Sequence, residues 1–162
     1  LLNRLERTRL LQTLSHQDPV TGLLNYPHSK QALTRLLTTA TMSTPIAVTL
    51  LRVTALAAIA HQHGPDAQHA ILQGWGHCLQ AWGRDAQTMG YWGNGEFMIA
   101  FPAATRAAAQ DILDPLLQAL RRQIITLPTG DRLQPAFSQA TVMAPAAGHT
   151  LPLIYQAAIA QL

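Results

Sequence analysis

The chain predicts one domain of mixed α and β structure, and three observations carry that reading. Ile46-Ala47-Val48-Thr49-Leu50-Leu51-Arg52-Val53 is a nearly continuous apolar run, the pattern of a central strand covered on both faces. Tyr91 to Phe101 places the polar turn Gly93-Asn94-Gly95 between two short apolar runs, which is a hairpin signal, because glycine and asparagine tolerate positive φ. Between and after them lie long segments with apolar residues at helical spacing. At 162 residues and 48% hydrophobic content there is enough apolar side chain for one real core and too little length to expect two.

Taken in order, Leu1 to Leu14 form a helix in which Leu1, Leu5, Leu10, Leu11 and Leu14 recur on one broad face. The stripe is short and is not a strict heptad. It suits either packing on its own domain or pairing with a second copy as the end of a signalling helix. The chain opens inside this helical pattern, as a piece of a longer protein would. Asp18-Pro19 favours a turn after the helix. Ser29 to Thr39 predict a helix capped at His28 or Ser29, with Ala32, Leu33, Leu36 and Leu37 inward. Pro45 ends the linker before the strand.

Asp66 to Ala81 predict a second long helix, burying Ala67, Ala70, Ile71, Trp75, Cys78 and Leu79 and ending at Trp82-Gly83. Gly74 and Gly76 would weaken it or let another backbone come close. After the hairpin, Thr105 to Gln123 is an alanine-rich helix with Ala108, Ile112, Leu116, Leu117 and Leu120 on one face. Pro115 is expected to kink or divide it. Ile124 to Leu127 and Gly130 to Leu133 suggest a second hairpin, Phe137 to Val142 a late strand, and Leu153 to Ala160 a last helix.

Composition narrows the function. Charged residues are 12% of the chain, and the net charge of +3 comes from scattered arginines with Lys30 the only lysine. No dense basic patch with interleaved aromatics is present, which speaks against nucleic acid as a partner. One cysteine, Cys78, excludes an internal disulfide framework and fits a reducing compartment. No apolar run reaches the 18 or so residues that span a bilayer, and the first residues lack the layout of a secretory signal.

His61, His63, His69 and His77 invite a metal reading. His61 to His69 and His69 to His77 are each about 12 Å apart along a helix, too far to share one ion. His61 and His63 could do so only in extended backbone. Solvated or core-edge histidines, or a pH-sensitive contact, account for them better.

Two stretches resemble a known family. Asp18-Pro19-Val20-Thr21-Gly22-Leu23-Leu24-Asn25-Tyr26 is similar to D-x-L-T-G-L-x-N-R, and Gly93-Asn94-Gly95-Glu96-Phe97 resembles the five-residue hairpin that names the GGDEF family, the diguanylate cyclase domains. Later, Phe137 to Val142 resembles the strand S-I-G-x-A, and Leu153 to Ala160 the helix L-L-x-x-A-D-x-A-L-Y. The resemblance divides the chain into a signalling or linker helix at residues 1–16 and a degenerate GGDEF domain at residues 17–162. It implies an α+β, nucleotidyl-cyclase or palm-like sandwich: a central, mostly antiparallel sheet of about five strands with helices on both faces. For the D-x-L-T-G-L stretch it implies a structural role, locking the leading helix to the domain.

The same resemblance implies lost chemistry. A cyclase of this family neutralises GTP with Mg²⁺ held by carboxylates, one closing the first strand and one at the third letter of the hairpin. Arg52 and Gly95 stand at those positions. The lysine that meets phosphate is matched by Ala57, the asparagine that reads guanine by Ala60, and the last aspartate of the signature by His69. Arg84 and Gln87 stand where many members carry R-x-x-D, a product-inhibition motif that binds cyclic di-GMP, with Gln87 replacing the aspartate. Glu96 remains, a single carboxylate. The expectation is therefore no catalytic residue, no metal and no cofactor. What remains is a cytoplasmic, regulatory or dimerising module in a multidomain bacterial cyclic di-GMP signalling protein. Its expected partners are a sensor upstream, an EAL domain downstream, and a second copy met through Leu1, Leu5, Leu10 and Leu14. The alternatives are a module that senses GTP or cyclic di-GMP without turnover, and an active diguanylate cyclase.

Overall fold

The computed structural model describes residues 16–84 and 87–162. The helix expected at Leu1 to Leu14, with its leucine stripe, lies outside the described residues, as do Asp85 and Ala86. From there the chain runs α1 (Tyr26–Thr38), β1 (Ile46–Val53), α2 (Leu56–His63), α3 (Pro65–Trp82), β2 (Thr88–Gly93), β3 (Glu96–Pro102), α4 (Arg106–Arg122), β4 (Ile125–Thr126), β5 (Arg132–Leu133), β6 (Phe137–Ala144) and α5 (Leu151–Gln161).

Strand β1 lies between β3 and β6 in a four-stranded antiparallel sheet of order β2-β3-β1-β6. The expected five-stranded sheet has four strands among the described residues, because β4 and β5 pair only with each other as a short ribbon. Period-two alternation gives the sheet its two apolar faces. Ala47, Leu51, Val53, Phe97, Ile99 and Phe101 pack against α3 and α4. Ile46, Val48, Leu50, Met98, Ala100 and Val142 pack against α1 and α5. The one fully buried polar residue of β1, Thr49, shares a 2.8 Å hydroxyl hydrogen bond with Thr141, so its desolvation is offset.

Several local expectations shift. Helix α1 begins three residues before the expected Ser29, because Asn25 caps it: its Oδ1 accepts from the His28 N–H at 3.1 Å. Helix α2 went unpredicted, since its eight residues hold only one buried side chain, Leu56, and show almost no apolar stripe. Helix α4 is not divided at Pro115. That residue is exposed, and so is Asp111, whose carbonyl loses its partner to the proline and faces water. The buried face of α4 starts at Ala109 and Leu113 instead of Ala108 and Ile112, leaving Ile112 39% exposed.

Before α1, Asp18 organises a tight loop. Its carboxylate accepts from the N–H and the hydroxyl of Thr21 at 2.8 and 2.9 Å, and Gly22 follows at φ +73°. This loop lies directly on α3. Gln80 Nε2 donates to the Thr21 carbonyl at 2.8 Å, and a Cβ at Gly76 would stand 2.2 Å from that same oxygen. Gly76 thus serves close backbone approach, the second of the roles that the sequence left open.

Gly76→Ala tests this contact. Helix propensity alone favours alanine by about 1 kcal/mol, whereas forcing a methyl into a filled site costs about 1–3 kcal/mol. Because the obstruction is backbone, we expect a net loss of stability, read as a lower urea midpoint with an unchanged slope. A gain would mean that the loop moves away from α3 at little cost.

Candidate functional site

The hairpin turns through Asn94 and Gly95 at φ +51° and +77°, positive at both central positions as a two-residue type I′ connection requires. Gly93, at φ +88°, follows a register shift after Tyr91. Gly95 is pinned to β1, its carbonyl accepting from the Val53 N–H at 2.9 Å and its own N–H donating to the Tyr91 hydroxyl at 3.2 Å.

This turn fixes the register of β3, and the register sets Glu96 directly opposite Arg52. Arg52 Nη2 lies 3.4 Å from Glu96 Oε1, with the arginine side chain 38% exposed and the glutamate 13%. The hydroxyl of Tyr155, one turn into α5, donates to the same carboxylate, 2.7 and 2.8 Å from its two oxygens. Burial, then the hydrogen bond to Glu96 and its negative charge, push the Tyr155 hydroxyl above its usual pKa and keep it protonated as the donor. Glu96 is thus committed to an arginine and a phenol. Neither Arg52 nor Gly95 supplies an oxygen ligand, and a hard dication, which wants several oxygens, does not fit this set.

The other sequence-derived positions fall on two helices. Ala57 is exposed and Ala60 half-buried on α2, while His69 is exposed on α3. The structure brings Arg52, Glu96 and Gly95 together around the hairpin, with Phe97 buried beneath, and sets a Cβ at Gly95 3.2 Å from Leu56 at the start of α2. Hydrogen bonds and ion pairs join none of Ala57, Ala60 or His69 to that group. Arg84 is turned back on its own helix, its Nη1 donating to the carbonyls of Ala81, Trp82 and Gly83 at 3.4, 3.2 and 3.0 Å, and its N–H donates to Gln87 Oε1 at 2.5 Å. A cation over the last carbonyls of α3 is favourable in its own right.

Among the histidines, His61, His69 and His77 are exposed and His63 faces Asp131 at 3.6 Å. Among the described residues no three His, Cys, Asp or Glu side chains come together as a metal set. Burial raises the pKa of the Cys78 thiol. The group that sequence reasoning missed is Tyr155, whose contact with Glu96 spans 59 residues and leaves no local pattern.

Residues 15–162 match the family model described as diguanylate cyclase, GGDEF domain. A sensory box/GGDEF family protein from Caulobacter crescentus superposes with a TM-score of 0.81 at 23% identity, over 91% of this chain and 95% of that one. The GGDEF domain of FimX from Pseudomonas aeruginosa gives 0.79 at 20% identity, over 91% of each chain. The coiled coil and GGDEF domain of DgcB from Caulobacter crescentus, in complex with c-di-GMP, gives 0.83 at 13% identity, over 96% of this chain and 82% of that one. No curated protein matches the chain.

The Tyr155 contact carries a pH signature. A hydroxyl whose folded pKa is raised above its unfolded value of 10.0 contributes stability that is complete below that value and is lost as pH rises through the folded pKa. Tyr155→Phe should cost about 1–3 kcal/mol at pH 8 by leaving Glu96 short of a donor. Its deficit against the parent should shrink above pH 10.0. Urea midpoints at the two pH values measure both, and a deficit independent of pH would reduce the contact to ordinary packing.

Proposed function

We propose a function from one premise: the chain belongs to the GGDEF domain family of diguanylate cyclases. It is a GGDEF domain of cyclic di-GMP signalling, and within that family we read it as a degenerate, non-catalytic module with a regulatory or dimerising role in a multidomain, cytoplasmic protein. The observation that carries the reading is the Arg52–Glu96 pair closed by Tyr155. By the resemblance, Arg52 and Gly95 occupy the metal-carboxylate positions. An arginine there supplies a fixed cation where an active cyclase needs an exchangeable dication and its bound phosphates. Ala57 and Ala60 add no hydrogen bond for phosphate or guanine. A buried guanine edge left unpaired at such positions loses about 1–3 kcal/mol per group.

The role that remains is mechanical. Asp18 to Asn25 tie the leading segment to α3 through the Thr21 carbonyl, so a change in that segment reaches the domain core directly. DgcB joins a coiled coil to its GGDEF domain, and the stripe Leu1, Leu5, Leu10 and Leu14 suits pairing with a second copy. A sensor upstream and an EAL domain downstream are the neighbours that such a module serves. No helix among the described residues is long and apolar enough to cross a membrane.

Purified protein with GTP and Mg²⁺ should form no cyclic di-GMP, and chromatographic product above the buffer rate would overturn the non-catalytic reading. Gly95→Asp should not restore turnover, since Arg52, Ala57 and Ala60 remain. It should also destabilise the domain: position 95 sits at φ +77°, with Leu56 and Val53 3.2 to 3.5 Å from a Cβ, and a left-handed non-glycine residue costs about 1–2 kcal/mol.

The regulatory half has its own test. Five leucines, each worth at most about 1.5–3 kcal/mol on burial, less the cost of association, support a weak dimer. Light scattering should show a concentration-dependent dimer that is lost on deleting residues 1–14 while the remainder stays folded. A full-length chain still monomeric at about millimolar concentration, the weak end of the affinity scale, would leave the helix as intramolecular packing.

A further inference from the structure

Beside the hairpin, on the α1 and α5 side of the sheet, lies an open cleft of about 330 Å³ lined by Tyr26, Lys30 and Trp92 together with Asn94 and Glu96 of the hairpin. Its walls are aromatic. Tyr26 meets Trp92 edge to face, with centroids 5.0 Å apart at 81°, and Tyr155 stacks on the indole at 5.5 Å and 27°. The indole is held in place because its Nε1–H donates to the fully buried Ser29 hydroxyl at 2.8 Å. With that donor spent, Trp92 offers the cleft only ring surface. Tyr26 is 45% exposed where it lines the cleft.

The charge inside the cleft is lopsided. Its one acid, Glu96, is matched by Arg52 and hydrogen-bonded by Tyr155. Lys30, the chain's only lysine, lies with Nζ 5.8 Å from the Tyr26 ring centroid and, among the described residues, has no carboxylate within ion-pair distance. Asn94 stands exposed at the rim on the hairpin turn. An aromatic box with a free carboxylate would suit an organic cation. Here the carboxylate is spent and the free charge is positive.

We propose that this cleft binds a small planar aromatic anion, its ring against Tyr26 and Trp92 and its carboxylate or phosphate on Lys30, without a divalent cation. The volume sits at the low end of the roughly 300–1,000 Å³ of small-molecule sites, enough for one ring system and its acid group and too little for a triphosphate. The cleft shares Glu96 and Tyr155 with the pair on which the non-catalytic reading rests, but the ligand contacts proposed here are Tyr26, Trp92 and Lys30, so probe binding and cyclic di-GMP formation test the two readings separately.

Calorimetry in EDTA with four probes decides it: GMP, indole-3-carboxylate, inorganic phosphate and inosine. At least one aromatic anion should saturate, with phosphate and inosine about tenfold weaker or more, since each offers only half of the recognition. Whether GMP or indole-3-carboxylate binds tighter tells a nucleotide from an aromatic acid as the source. Lys30→Ala should weaken the better probe about tenfold and Tyr26→Ala about fivefold or more. Both side chains are exposed, and an unchanged circular dichroism spectrum confirms the fold. The proposal is overturned if neither aromatic anion saturates below about 10 mM, weaker than the affinity scale's millimolar end, or if neither substitution moves the affinity. It is also overturned if nucleotide binds only as Mg²⁺–GTP and survives Lys30→Ala, which would place it in the family's own site; cyclic di-GMP formation then remains the separate measure of catalysis.

Discussion

Strand β1 is the constraint from which the rest of the domain follows. It is hydrogen-bonded along its length to β3 on one side and β6 on the other, and six successive residues from Ile46 to Leu51 are buried. A strand placed so must be apolar on both faces, and each fully buried leucine or isoleucine contributes about 1.5–3 kcal/mol. Slipping the register by one residue would send Arg52 into the α3 face and Leu51 toward the α5 face. The pairing of Arg52 with Glu96 is therefore a product of the strand's burial and not its cause. An exposed ion pair is worth about 0–1 kcal/mol, far below the apolar terms that align it.

The same ordering sets the surroundings of positions 52 and 95. Position 52 is the next-to-last residue of β1, half-buried between buried Leu51 and Val53, and position 95 lies in a turn whose backbone favours glycine. Glu96 is a carboxylate 13% exposed at the start of β3. Arg52 from the neighbouring strand and Tyr155 from α5 are its partners, and they tie the last helix to the hairpin. Both oxygens of the carboxylate take part in this clasp.

What was legible in the sequence was whatever is enforced locally or by two-sided burial. Strand β1, the Asn94-Gly95 turn, α3 and the second hairpin fall where the pattern put them, because apolar periodicity and positive-φ residues leave few alternatives. Helix α2 was not legible, since Ala57, Ala58, Ala60, His61 and Gln62 bury almost nothing and carry no amphipathic signal. The start of α1 was misplaced because Pro27 and His28 look like a break, while Asn25 caps from just before them. Within the site, the Arg52–Glu96 pair follows once the strand register is known, but Tyr155 does not. Its hydroxyl reaches Glu96 only through the packing of α5 against the sheet, a tertiary fact with no short-range trace.

The Thr21 loop joins the start of the domain to α3. Its backbone touches α3 so closely that only glycine fits at position 76, and Gln80 holds the same carbonyl one turn further along. Helix α3 in turn buries Ile71, Trp75 and Leu79 against the sheet face formed by Leu51, Phe97 and Phe101. Packed cores transmit displacement because they are dense and hard to compress. One helix, α3, thus lies between Thr21 and the layer beneath β1 and β3, the two strands that carry Arg52 and Glu96. On the opposite face, α1 begins only five residues after Thr21, and its first two turns carry Tyr26 and Lys30 at the aromatic cleft. One loop thus touches α3 on one face of the sheet and leads into α1 on the other.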